Sequence, residues 1–445
     1  MKEVLVLNGK WWTPATPHQV TEGEMTFDPS KGAILKLSGL LKESETCAMP
    51  FEIVLGETNE GIPVTMIGSS GVWLARPYRA ADAGELDIPV CSSLCANVLL
   101  VGRHYLSPKE IGFKGFDIDL SHLQDWAGLD EQDGTDPIRP CALSSDCGIG
   151  QLGKLIIELE DTGSCHLALR FDGEVSLDKG IDLVRQLRNL MALLMHRSVQ
   201  ELRVRGVAGG GSGEARPDMM VDIFYPSFAR DRSAGPLAPE DMLLPLRHIR
   251  ADLGNIIAKW FSANETMPQV LDLYFAASHS AELFPETRFL MYVQALEAYH
   301  RIRYRNFEVD PAEHAERLAI ILASIPEQYR EWMRDGLEHS NEPSHGQRVR
   351  EIYRDLSDVM DEFVEDKKRF IYQVVKTRNQ MMHLEGDSLV LEGNDLVLAT
   401  TRLRLLLELC LLKEIGIGKE KMKAAVLNNS MFSRIRARSE SPESE

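Results

Sequence analysis

The run Phe370-Ile-Tyr-Gln-Val-Val-Lys-Thr-Arg378-Asn379-Gln-Met-Met-His383 decides how the second half of the chain is read. Phe370, Val374 and Met381 form one apolar stripe at helical spacing, with Ile371, Val375 and Met382 beside it. This pattern predicts an amphipathic helix with that side turned to a helical core. Tyr372, Lys376, Asn379 and His383 follow one another at spacings of four, three and four on a different stripe. At 3.6 residues per turn Asn379 and His383 share a face, and Arg378 lies well round the helix from His383. A single helical histidine is commonly a surface residue or a satisfied core one. Here it stands in line with an amide and a lysine, with a guanidinium at the edge, a set suited to chemistry on a phosphodiester.

Working outward, helical patterns dominate from about Pro239. They run over Glu240 to Trp260, Met267 to Ser278, Pro285 to Tyr304, Pro311 to Ser324 and Pro326 to Leu337. Arg348 to about Leu384 follows as one long helix with Gly386 as its stop, then Leu396 to Ile415 and Lys419 to Leu427. Pro285 and Pro311 suit a first helical turn. The polar tail from Ser430 reads as disordered. The first half reads mostly as short strands: Val4 to Leu7, Met25 to Phe27, Ala33 to Gly39, Phe51 to Leu55, Pro63 to Ile67 and Ala96 to Val101. Asp28-Pro-Ser-Lys-Gly32 is a hairpin turn, as is Asp161-Thr-Gly-Ser between Lys154 to Glu160 and His166 to Phe171. Ile181 to His196 is a helix, and strands at Glu201 to Arg205 and Met219 to Tyr225 flank the glycine-rich loop Gly209 to Gly213. The fold class is therefore α+β in two domains: a β-rich sensor or regulatory domain over 1–238, an all-α bundle over 239–429 and a tail over 430–445.

Composition bounds the function. The 445 residues exceed one core. With 44% hydrophobic and 26% charged residues the chain is an ordinary globular one. The charged start Met1-Lys-Glu predicts no signal peptide, and no apolar run approaches a membrane span; Leu405 to Leu412 is short and holds Glu408. Seven scattered cysteines, an odd number, predict reduced thiols and a cytoplasmic protein. The net charge is −18; residues 241–445 hold 27 Lys and Arg against 33 Asp and Glu, a balance of −6. Such a protein has no global field for nucleic acid and must use a local basic patch.

Other motifs carry less. Gly148-Ile-Gly-Gln-Leu-Gly153 has dinucleotide-binding spacing but no preceding strand or following helix, so it reads as a loop. Cys91, Cys95, Cys141, Cys147 and His166 are spaced too loosely for a zinc knuckle and read as neutral thiols. No metal and no cofactor is expected. On the helix from Pro285, Glu297 and Arg301 make an i,i+4 pair, and Arg301, Arg303 and Arg305 complement the helix C-terminus. A solvated face explains these charges; a cationic patch binding phosphates through Arg301 and Arg303, with Glu297 in support, is the functional alternative.

Arg-Asn followed by histidine after three residues, near the end of a helix in an all-α C-terminal domain, resembles the HEPN ribonuclease superfamily. Gly9-Lys-Trp-Trp-Thr-Pro, Gly23-Glu-Met-Thr-Phe-Asp, Ala33 to Gly39, Ile53-Val-Leu-Gly-Glu-Thr and Val64-Thr-Met resemble the N-terminal domain of ApeA-type antiphage defence proteins, which carry a C-terminal HEPN domain. The resemblance implies a metal-independent endoribonuclease acting in bacterial abortive infection, with Arg378, Asn379 and His383 as catalytic residues and Tyr372 and Lys376 beside them for substrate. It implies a 2′,3′-cyclic phosphate product, transfer RNA as the family-level substrate, a phage-derived trigger, and a homodimer through the C-terminal domain that pairs two motifs. The alternative reading is a non-catalytic module that recruits RNA or a protein.

Overall fold

The computed structural model describes residues 4–39, 41, 50–74, 92–128, 143–145, 154–159, 165–209, 218–227, 235–280, 282–383 and 390–440. The glycine motif at 148–153, Gly386, the turn at 161–164, Cys91, Cys141 and Cys147 lie outside them. The fold is α+β, and the chain divides into two compact units, Met1–Gly254 and Asn255–Glu445. The division falls later than the change of composition at Pro239, because the intervening segment packs on the first unit. Trp126 Nε1 donates to the Leu244 carbonyl (2.8 Å), and Leu244 N–H donates to that of Leu194 (2.9 Å).

The strands of the first unit are β1 (Leu5–Trp12), β2 (Thr21–Asp28), β3 (Gly32–Leu37), β4 (Phe51–Thr58), β5 (Pro63–Leu74), β6 (Ser92–Ala96) and β7 (Val98–Val101). Then come β8 (Gly112–Leu120), β9 (Leu143–Ser145), β10 (Lys154–Leu159), β11 (Cys165–Ser176), β12 (Glu201–Ala208) and β13 (Met219–Phe224). Antiparallel pairing runs β4-β1-β2-β3-β6-β5, and a further β4–β5 pairing closes these six into a barrel. The expected hairpin forms at Asp28↔Gly32, with Gly32 at φ +88°. Alternation along the strands turns Trp11, Met25, Phe27, Leu35, Val54 and Met66 inward as one core. Trp11 is fully buried and its Nε1 donates to the Gly23 carbonyl (3.2 Å). The strand expected over Ala96 to Val101 is interrupted at Asn97, so β6 pairs with β3 of the barrel while β7 pairs with β13. From β7 an antiparallel sheet continues in the order β13-β12-β8-β11-β10-β9. Besides the single turn α1 (Leu123–Ala127), this unit holds α2 (Leu177–Leu194), which packs on β8 and β11, and the short α3 (Leu246–Ile249).

The helix expected over Glu240 to Trp260 is not continuous. Pro245 interrupts it, and the regular part is α4 (Leu253–Thr266). The second unit continues with α5 (Pro268–His279), α6 (Pro285–Arg303), α7 (Pro311–Ala323), α8 (Arg330–Gly336), α9 (His345–Asp355) and α10 (Ser357–Met360). It ends with α11 (Lys367–His383), α12 (Gly393–Glu414), α13 (Lys419–Asn428) and α14 (Ser430–Glu440). α6 packs against α5, α9 and α12, and α9 packs against α11. Leu405 to Leu412 is buried all round in α12, where Glu408 accepts from Tyr274 Oη and Arg404 Nε, both at 2.7 Å.

Two expectations about this unit need correction. The single helix over Arg348 to Leu384 is instead α9, α10 and α11. Asp361 turns to accept from Tyr353 Oη (2.9 Å), and Asp366 caps α11 by accepting from the Arg369 N–H (2.9 Å). The tail is helical to Glu440, because Asn429 Oδ1 accepts from the Met431 N–H (3.1 Å) and Phe432 is fully buried, 6.1 Å from the Phe363 ring.

Candidate active site

On α11 the buried stripe is Phe370, Ile371, Val374 and Thr377. The expected core positions Val375 and Met381 are half-buried, and Met382 is 56% exposed. The helix therefore buries its first three turns and projects its last into solvent. Tyr372, Lys376 and His383 are exposed there, with Arg378 and Asn379 half-buried. Arg378 Nη1 donates to Asn379 Oδ1 (3.2 Å), which brings the guanidinium round to the asparagine and leaves the amide nitrogen of Asn379 for another acceptor. His383 is the last helical residue, where the C-terminal dipole favours a protonated imidazole.

The charges of α6 separate into two groups. Arg303 Nη2 donates to Thr266 Oγ1 and pairs with Glu414, both at 3.0 Å, so it ties α6 to α4 and α12. Arg301 pairs instead with Glu297 (3.2 Å) and Glu342 (2.9 Å). The structure does not bring Arg301 and Arg303 together.

Arg301 belongs to a polar interface between α6 and α9 that sequence reasoning missed. Arg348 is buried. It donates through Nη1 to His300 Nδ1 (3.1 Å) and to Asn306 Oδ1, and through Nη2 to Glu342 (3.0 Å). His300 is fully buried, and its Nδ1 accepts from Arg348, so Nε2 carries the proton donated to Glu351 (2.7 Å). Burial, with the Arg348 charge assisting, lowers the pKa of His300 despite Glu351. Tyr304 stacks on the His300 ring at 4.8 Å and donates to Asp355 (2.8 Å). Positions 297, 300, 301 and 304 of one helix thus meet 345, 348, 351 and 355 of the other. The readable signal was the capping box Ser344-His-Gly-Gln347 that starts α9, with both reciprocal bonds formed.

At the head of this interface stands His345, its side chain 10% exposed and its Nδ1 3.7 Å from Glu297 Oε2. That is a charge contact, longer than a hydrogen bond. His345, and after it Arg301, hold the Glu297 carboxyl down at about 2, against the cost of its burial. In the first unit Cys95 lies on β6, and Cys165 and His166 lie on β11; burial pushes the Cys165 thiol up to about 12. Among the described residues no three His, Cys, Asp or Glu side chains gather as a metal-ligand set, and no helix is long and apolar enough to cross a membrane.

Comparison with protein families gives two matches. The model for ApeA N-terminal domain 1 matches residues 7–260, more than half of the chain. The chain belongs to the ApeA family. The model for the Apea-like HEPN domain matches residues 290–421, a span that runs from α6 into α13 and contains Arg378, Asn379 and His383. HEPN domains are in general ribonucleases that act on RNA and dimerise. Comparison with curated proteins and with solved structures returned no match.

Proposed function

We propose that this ApeA-family protein is a metal-independent endoribonuclease of antiphage defence, with Arg378, Asn379 and His383 at the cleavage site. The observation that carries the reading is the placement of all three on the projecting end of α11, inside the Apea-like HEPN span. The ribose 2′-oxygen attacks the adjacent phosphorus and the bond to the 5′-oxygen breaks, leaving a 2′,3′-cyclic phosphate. Arg378 forks onto the non-bridging oxygens, where charge grows. Asn379 holds that fork through the 3.2 Å bond and turns its amide N–H to the phosphate. His383, with an ordinary imidazole affinity near pH 6.5, exchanges the proton. Lys376 and Tyr372 offer an exposed charge and ring to the flanking nucleotides. A homodimer through the helical unit, with an isologous interface, would set two such patches against one RNA. Transfer RNA is the proposed substrate.

The test is incubation of the full chain with tRNA and with other RNA in EDTA, beside His383→Ala and Arg378→Ala. Each substitution should lower cleavage by at least 100-fold, on the scale of one general acid or one charge-stabilising group. Cleavage that persists in either variant overturns the assignment, as does cleavage of a 2′-deoxy substrate.

A further inference from the structure

We propose that His345, held by Glu297, is the proton acceptor for the 2′-hydroxyl, so that each chain carries both halves of its acid–base pair; this rests on the ribonuclease reading. His383 alone would have to accept one proton and donate another in a single displacement.

Four observations place a second imidazole in this role. The first is that neither ring nitrogen of His345 has a hydrogen-bond partner among the described residues, although the side chain is nine-tenths buried. A buried imidazole left with both a donor and an acceptor unsatisfied is costly, and such exceptions mark a task other than packing. The second is the carboxylate. Glu297 stays ionised across the pH range of RNA chemistry and lies 3.7 Å from Nδ1, so it orients the ring and stabilises the imidazolium once a proton arrives. Contacts of this kind are long in the free enzyme and tighten with substrate.

The third observation is location. α9 lies against α11 at its first turn, where a Cβ on Gly346 would sit 3.5 Å from Val375 Cγ2. Val375 is one turn before Arg378 and Asn379. From its level to that of His383 is eight residues, about 12 Å at 1.5 Å per residue, and Arg378 falls between. A phosphate held by Arg378 is then flanked by His345 on its 2′-oxygen side and His383 on its leaving-oxygen side. The fourth is the surrounding charge. Around His345 stand Glu297 and Arg301 from α6, Glu342 and its partner His339 from the preceding turn, and Arg348 from its own helix. On α11 the charges next to the Val375 contact are Lys376 and Arg378. Glu297 is the one carboxylate among these printed within 4 Å of the ring.

The step balances without another reactant. The O2′–H proton goes to His345, O2′ bonds to phosphorus, the P–O5′ bond breaks, and O5′ takes a proton from His383. Exchange with water then resets both rings.

The experiment measures kcat/KM against pH for the full chain, His345→Gln, Glu297→Gln and His383→Ala. Its second substrate has sulfur in place of the 5′-bridging oxygen, a leaving group that needs no acid. His345→Gln should lose at least 100-fold and abolish the acid limb of the profile, with no recovery on the sulfur substrate. His383→Ala should recover at least 10-fold on it. Glu297→Gln should fold, keep the limb and shift its midpoint downward. An unchanged acid limb in His345→Gln, an unshifted one in Glu297→Gln, or recovery of His345→Gln on the sulfur substrate overturns the proposal. If wild type cleaves and His345→Gln matches it, this assignment alone fails. If wild type cleaves nothing, the ribonuclease reading fails with it.

Discussion

A buried guanidinium costs several kcal/mol unless its N–H groups find acceptors. Arg348 meets that condition by engaging His300, Asn306 and Glu342 together. The arrangement works only while His300 is neutral, because Nδ1 must offer a lone pair to the arginine. Folding therefore lowers the proton affinity of His300, and below about pH 6.5 the unfolded chain binds more protons than the folded one. His300 thus contributes stability that is complete above that pH and lost as pH falls through its lowered folded value. Glu297 acts in a separate window, contributing fully above about pH 4.5 and losing its contribution as pH falls toward 2. Replacing His300 by Gln supplies an acceptor for Arg348 and a donor for Glu351 without a titrating ring. Urea midpoints measured between pH 7.5 and 5.5 should fall in wild type and fall distinctly less in His300→Gln. Parallel slopes for the two proteins would show that His300 is not what couples this interface to pH.

At the scale of elements, α2 shows why packing outranks propensity. Gly180 lies mid-helix, where Ala normally gains 0.5 to 1 kcal/mol. A Cβ there would stand 2.0 Å from Phe116 Cζ on β8, so the helix cannot keep its seat. Overpacking of this kind costs about 1 to 3 kcal/mol, which reverses the sign. Gly180→Ala should lower the urea midpoint of the full chain, and a raised midpoint would contradict this packing. The same contrast marks what was legible in the sequence. Elements with a strong apolar period stood out: α2, α6, α12 and the β2–β3 hairpin fall where spacing puts them. Breaks set by single side chains did not, as when Asp361 and Asp366 divide α9 to α11 with bonds that no periodicity reveals. The candidate site divides similarly. Arg378, Asn379 and His383 lie on one helix and six residues, so their spacing is their geometry. Arg348, Glu342 and His345 read as surface charge in sequence, because their partners on α6 are some forty residues away and only the fold makes each helix the counterion of the other.

For the molecule as a whole, a net charge of −18 repels RNA at long range, so binding must come from a few cations at short range. The salt dependence counts them. Each phosphate contact on a single strand contributes about 0.7 to the slope of log K against log salt. Lys376 and Arg378 are the cations that the helix end offers beside His383. Two contacts give a slope of about −1.4 for one chain, and about −2.8 where a dimer sets two ends on one strand. Arg301 and Arg303 are held by Glu297, Glu342 and Glu414 and should add nothing. Anisotropy of a labelled, uncleavable 2′-O-methyl oligonucleotide between 50 and 200 mM salt measures the slope. Lys376→Ala should flatten it by about 0.7 per copy, whereas Arg303→Ala should leave it unchanged. A slope near zero would remove phosphate contact from this end of α11, and one much steeper than −3 would place the RNA on a different surface. Sedimentation of the same samples assigns the copy number independently, so a monomer with a slope near −2.8 would break the link between dimerisation and the paired patches.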